Sequence, residues 1–269
     1  MNQRLLVTLS IVTALGANAW AGLSFTSVTT MEGGIGRGDQ PSTTNVVLDG
    51  DRLRMEVAGE RKGHAAEGYF LTQDGGKTLF MVSPKDKTYM KWDMENMMGP
   101  GGMMGMAKGM MNMKFSNVKV EKLAEGPGEP IQGFATTHYR FRTSYQISTS
   151  FMGRQNVSTV VRDEDLWTAP KLNPAVMSVW ARKQMPATGD EEFDKLMKSE
   201  RAKATGLPLR MIATTTTTDA AGKAQVTKST TEVTEVKQGA VDAALLELPK
   251  DYQETQMPKM PPMPGGMGK

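Results

Sequence analysis

Apolar and polar residues alternate over most of this chain, and the alternation predicts strands. Leu23 and Phe25 alternate with polar neighbours. Asn45–Leu48 runs into Asp49-Gly50, a strong type I′ hairpin signal. From Arg52 to Val57 the pattern is strict, with Leu53, Met55 and Val57 on one side and Arg52, Arg54 and Glu56 on the other. One face of such a strand is buried and the other is solvated. Tyr69–Thr72, the turn Gln73-Asp74-Gly75-Gly76 and Thr78–Ser83 predict a second hairpin. Pro84-Lys85-Asp86-Lys87 turns the chain into Thr88–Trp92. Turns this short make consecutive strands antiparallel neighbours.

Beyond residue 92 the pattern is interrupted. Residues 93–114 are rich in Met and Gly and have no clean period. Strands are expected again at Val118–Leu123, over Ala135–Thr149 and at Val157–Val161, with Gly126-Pro127-Gly128-Glu129-Pro130 as a loop. Between Asp163 and Gly206 the period becomes helical. Asn173-Pro174 resembles an N-cap with a first-turn proline, and Ala175, Val176, Val179 and Trp180 then share one face. Asp190–Ala204 predicts a charged helix with Phe193, Leu196 and Met197 as its apolar stripe and Gly206 at its end. Two strands follow, Leu209–Thr218 and Gln225–Val236, the first ending in a run of β-branched threonines. Ala240–Leu246 is expected to be a short helix, and the Pro-, Met- and Gly-rich residues 255–269 a disordered tail.

The amino terminus adds an address. Arg4, the apolar run Leu5–Leu15 and the small residues Ala17, Ala19 and Ala21 form the three-part pattern of a secretory signal peptide over residues 1–21. The run is shorter than the about 20 residues a membrane span needs. A periplasmic protein, soluble after cleavage, is therefore expected, with residues 22–254 as a single domain.

Composition mostly excludes. Cysteine is absent from the 269 residues, which removes disulfides, thiolate chemistry and cysteine metal sites. The net charge of +3 is a small excess spread along the chain, so no nucleic-acid arm is expected. No Gly-x-Ser-x-Gly elbow accompanies the two histidines, His64 and His138, and two histidines alone make a poor zinc site. Gly33-Gly34-Ile35-Gly36-Arg37-Gly38 lacks the Lys-Ser/Thr of a phosphate loop and reads as a hairpin tip. Asp190-Glu191-Glu192 is explained by a helix N-terminus, where negative charge is favoured. No enzyme and no cofactor are expected.

A set of motifs in fixed order carries a resemblance. Val47-Leu48-Asp49-Gly50-Asp51-Arg52-Leu53-Arg54-Met55-Glu56 resembles the first hairpin of an exported bacterial family known as a domain of unknown function. Asp74-Gly75-Gly76-Lys77, Pro84-Lys85-Asp86-Lys87-Thr88-Tyr89 and Ile131-Gln132-Gly133 follow. Gly206-Leu207-Pro208-Leu209-Arg210 and Leu248-Pro249-Lys250-Asp251-Tyr252 complete the order. That family is similar in architecture to the periplasmic lipoprotein-localisation carriers. The resemblance implies a mainly β (α+β) fold: a curved antiparallel sheet or incomplete barrel, helices on its concave face and an apolar cavity between. It implies a lipophilic ligand, such as an acyl chain or a lipoprotein, with transient contact with the envelope membrane. It carries over no catalytic residues and leaves the oligomeric state open. The expected lining is Leu53, Met55, Met81 (or Phe80, depending on register), Trp167, Val176 and Trp180.

The methionines offer a second chemistry. Nine of the 23 lie between Met94 and Met113, and four more decorate the tail. Thioethers are soft ligands, so Met103, Met104, Met106, Met110, Met111 and Met113 are candidates for Cu(I) or Ag(I). Methionine is also the adaptable side chain of promiscuous apolar surfaces. The apolar flap is preferred here, because nothing rigid around Gly99-Pro100-Gly101-Gly102 holds the sulfurs in place.

Overall fold

The computed structural model describes residues 22–33, 40–58, 60–61, 64–65, 68–98, 102, 112–151, 154–172, 190–202 and 204–256. The strands are β1 (Leu23–Glu32), β2 (Ser42–Asp49), β3 (Arg52–Ala58), β4 (Glu60–Arg61), β5 (His64–Ala65), β6 (Tyr69–Thr72) and β7 (Thr78–Ser83). They continue with β8 (Thr88–Asp93), β9 (Lys114–Ile131), β10 (Phe134–Phe151), β11 (Arg154–Ala169), β12 (Leu207–Thr218), β13 (Ala224–Gln238) and β14 (Gln253–Glu254). Helix α1 is Met94–Met98, α2 is Glu191–Ala202, and Ala243–Leu246 is a 3₁₀ turn.

Twelve strands form one open sheet in the order β14-β8-β7-β6-β3-β2-β1-β13-β12-β11-β10-β9, and β4 and β5 pair with each other. Every pair in the large sheet is antiparallel except β14 with β8. This is the mainly β, single-sheet architecture that the alternation predicts. Register shifts at Thr26/Ser27, Phe134/Thr136, Arg140/Phe141, Ser144/Gln146 and Trp167/Thr168 mark bulges, which bend and twist the strands that carry them. Strand β9 is one edge of the sheet, and β8 lies at the other, covered only by the two-residue β14.

Several expectations are corrected. Gly126–Pro130 is not a loop but part of β9. Proline is tolerated there because β9 is an edge strand, where the missing N–H costs no ladder bond. The turn is made instead by Gln132 and Gly133, both at positive φ. Strand β11 runs on through Asp163-Glu164-Asp165 to Ala169, because the cross-strand partners Arg142 and Arg140 lie on β10 beside those acids. Helix α2 ends at Ala202, short of Gly206. A Cβ at Gly206 would lie 2.5 Å from the Ala169 carbonyl oxygen, so this glycine permits close chain packing. The segment before Leu246 is 3₁₀, capped by Asp242. The first predicted helix, from Asn173, lies outside the described residues, so α2 is the helix that can be placed on the sheet.

Following the register from strand to strand separates two faces. The inner face carries Leu23, Phe25, Val46, Leu48, Leu53, Leu209 and Val233, joined by Ile131, Ala169, Leu172 and Leu207 in one core cluster. Helix α2 packs on this face at the β9 end, where Phe193 meets Phe115 at 4.8 Å between ring centroids and Glu192 accepts the Val118 N–H. The outer face has its own smaller cluster, Tyr69, Leu71 and Val82 with Phe80, Tyr89, Leu248 and Tyr252. The carboxy-terminal segment therefore covers the outer face of β6–β8, and the 3₁₀ turn buries Leu246 completely. This explains the continuous apolar run Tyr69-Phe70-Leu71, which a one-sided strand would not contain.

Candidate functional site

Direct cross-strand partners in an antiparallel sheet point to the same face, so register alone assembles the site. Phe25 pairs with Val46, Val46 with Met55, Met55 with Phe70, Phe70 with Met81, and Met81 with Met90. Six strands thus contribute one apolar residue each to a single row. The neighbouring row runs Leu23, Leu48, Leu53 and Thr72, then Leu79 and Trp92. With strands about 4.8 Å apart, the band is roughly 24 Å long.

The band is graded. Leu23, Phe25, Val46, Leu48 and Leu53 are buried in the core, with Leu53 only 1% exposed. Met55, Phe70, Met81, Met90 and Trp92 are partly exposed. In the first row the covered residues thus lie on β1 and β2 and the partly exposed ones on β3 and β6–β8; in the second row Thr72 and Leu79 are buried as well, and Trp92 is the partly exposed member. The accessible side chains are largely methionine and aromatic, which adapt to irregular apolar shapes. Phe70 and Trp92 lie 6.3 Å apart in a tilted arrangement. No charged residue belongs to either row. Arg52, Arg54, Glu56, Lys91 and Asp93 alternate onto the other face.

Polar atoms in the band are few. The Thr72 hydroxyl donates to Asp74 and accepts the Gly76 N–H. Trp92 Nε1 is out of contact with water and has no hydrogen-bond partner among the described residues.

The sequence-derived lining divides accordingly. Leu53 and Met55 come together in and against the main core, and Met81 joins them through Phe70. The choice between Phe80 and Met81 is resolved: Phe80 belongs to the outer cluster, so Met81 faces inward. Trp167 touches the margin of the main core, but it stands in register with His138 and Arg210, opposite to Leu166. Its ring stacks on His138 at 4.2 Å and the Arg210 guanidinium lies 5.6 Å from its centre. Val176 and Trp180 lie outside the described residues. So do Met103, Met104, Met106, Met110 and Met111, while Met113 is partly buried just ahead of β9. Phe70, Met90 and Trp92 were not anticipated. For Met90 and Trp92 the signal was the alternation in β8, where they oppose Tyr89 and Lys91.

Elsewhere the sheet carries charge. His138 Nε2 lies 2.8 Å from Asp165, and Arg142 makes a two-point contact with Asp163. The Arg142 guanidinium holds the Asp163 carboxyl below its ordinary range. Arg210 is held by Glu129 and Glu232. On the inner face of β11, Arg162 meets the buried Glu164 at 2.5 Å. A depression of about 390 Å³ lies at the strand ends, between Asn45, Glu56, Tyr69 and Lys85. Glu56 there is already engaged by Arg54, whose guanidinium sits 3.7 Å over the Tyr69 ring. Burial raises the Tyr69 hydroxyl pKa, against the lowering effect of Arg54. Among the described residues no three His, Asp or Glu side chains converge as a metal site. No described helix is long and apolar enough to cross a membrane.

The family described as a domain of unknown function, DUF4412, matches over residues 25–252. No curated protein matches the chain. A crystal structure of a domain described as an outer membrane lipoprotein-sorting protein, from Vibrio parahaemolyticus, shares 10% sequence identity. The match covers 85% of this chain and 90% of that one, with a TM-score of 0.28, too low to carry a functional argument.

Proposed function

The chain belongs to the DUF4412 family, and for this member we propose a non-enzymatic role: the inner face of β3–β8 binds a lipophilic ligand in the periplasm. The observation that supports this is the uncharged band whose accessible end is Met55, Phe70, Met81, Met90 and Trp92. Covering apolar surface contributes about 25 cal/mol per Å², so 100 Å² of this face taken up by an acyl chain contributes about 2.5 kcal/mol. A site of this composition recognises shape and apolarity. It offers no nucleophile, no general base and no ion pair to orient a reacting group. The leader pattern of residues 1–21 supports export as the setting. The acyl chain belongs to a free lipid or to a lipoprotein, and both present the same chemistry to the band.

Binding of a neutral long-chain probe to the intact protein tests the reading. Met81→Glu places a charge in the centre of the band and should abolish binding, because an unpaired carboxylate there must be desolvated. Unaltered affinity in Met81→Glu would remove this face from the site.

A further inference from the structure

We propose that Met55, Met81 and Met90 form a site of reversible oxidation, at which hydrogen peroxide converts thioethers to sulfoxides and turns the inner face of β3 and β6–β8 from apolar to polar. The oxidation site stands on its own, and only its effect on binding rests on reading the band as the ligand face. Leucine and methionine divide the molecule between them. Leu53, Leu71, Leu207, Leu209 and Leu246 are fully buried, whereas among the described residues the buried core contains no methionine. Methionine is ordinarily one of the most often buried side chains. The division runs within single strands. On β3 Leu53 is buried and Met55 partly exposed, and on β7 Leu79 and Val82 are buried on either side of a partly exposed Met81. Register places Met81 directly opposite Met90, and Phe70 between Met81 and Met55, so the three thioethers share one face. Cysteine is absent, so no thiol in the chain competes for an oxidant.

The step needs only the peroxide. The sulfur lone pair attacks one peroxide oxygen and the O–O bond breaks; that oxygen stays on sulfur, and the other takes up the proton and leaves as water. Sulfur loses an electron pair and the peroxide gains it. Methionine sulfoxide reductases remove the oxygen again as water, with electrons from a dithiol that closes to a disulfide. A sulfoxide is polar, and inside a packed core it is disruptive. Here the three side chains lie at the solvent margin and the fully buried layer beneath them is leucine, so the fold survives and the face alone changes. Met211 supplies the contrast. It too is partly exposed, but the Arg162 guanidinium donates to its Sδ at 3.6 Å, and a lone pair held by a cationic donor is a poor nucleophile.

The full chain, treated with hydrogen peroxide over a time course and mapped by peptide mass spectrometry, tests the site. Met55, Met81 and Met90 should gain oxygen several-fold faster than Met211, and urea unfolding should stay cooperative. The two epimer-specific reductases should return all three to methionine in the folded protein. Titration with methyl laurate reads the face. Its affinity should fall about tenfold or more on oxidation, as burying an unpartnered polar group requires, and recover after reduction. The combined variant Met55→Leu, Met81→Leu, Met90→Leu keeps the apolar bulk and removes the sulfurs, so peroxide should leave its affinity unchanged. The inference is overturned if the three methionines oxidise no faster than Met211, if their oxidation unfolds the protein, or if the leucine variant loses methyl laurate on oxidation as the unsubstituted chain does. If the reduced protein does not bind methyl laurate, the ligand reading fails, while the oxygen map and its reversal still decide the oxidation site.

Discussion

On β9–β12 the inner face has polar contacts and a helix over it: Arg162 reaches Glu164, Thr143 donates to Glu200 of α2 at 2.7 Å, and Phe193 of the helix packs on Phe115. On β2, β3 and β6–β8 the same face carries no charged side chain among the described residues, and its accessible side chains are thioethers and aromatic rings. The first region has its covering element within the chain, and Thr143 is matched to that element, while Arg162 pairs with Glu164 along β11 and leaves its Nε without a partner among the described residues. The second has apolar side chains, and no described helix lies over them. One sheet thus combines a face covered by its own helix with a face that is apolar and partly exposed.

Four substitutions test the contrast. The largest effect is expected from Leu53→Ala, at the fully buried end of the band. Removing its side chain should cost about 2–5 kcal/mol in urea unfolding, with binding reduced only through loss of folded protein. Met55→Ala, one row away and partly exposed, should cost less stability, about 1–2 kcal/mol, yet weaken a neutral acyl probe directly. Equal stability losses at the two positions would mean that the band is not graded.

Glu164→Gln tests the polar half. Glu164 is 5% exposed and its partner Arg162 about one third exposed, so the lost charge should cost about 1–3 kcal/mol, less than for a fully buried pair. Probe affinity should be unchanged, and a loss of binding at unchanged stability would show that the ligand reaches β11. The smallest effect is at Asp74, in the turn below Thr72. Burial works to raise its pKa, but bonds from the Thr78 N–H and the Thr72 hydroxyl outweigh it, and the carboxyl is held below its ordinary value. A lowered acid stabilises the fold above its unfolded pKa of about 3.9 and loses that contribution as pH falls through the folded value. Asp74→Asn should therefore flatten the pH dependence of unfolding below about pH 4. At neutral pH it should cost less than about 1 kcal/mol, because the group is exposed.

Alternation and turn chemistry were legible residue by residue. The strict period of Arg52–Val57 placed Leu53 and Met55 together, and the Asp-Gly turns fixed the hairpins around them, because side-chain direction in a strand depends only on parity. The same signal misled where covering mattered. Gly126–Pro130 looked like a loop because edge position is not written locally, and Trp167 looked like its neighbour Leu166 although adjacent residues face opposite sides. Phe70 was hidden inside a run that is apolar on both sides.

The chain by itself determined the strands, most of their turns and which residues share a side, since each follows from contacts a few residues apart. Only the tertiary structure decided what each side meets. The pairing of β1 with β13 joined the two ends of the domain into one sheet, and the carboxy-terminal segment took the outer face of β6–β8. Those two long-range contacts left the inner rows from Met55 to Trp92 as the accessible apolar face. They bring together residues about two hundred positions apart, and a local pattern carries no record of such distances.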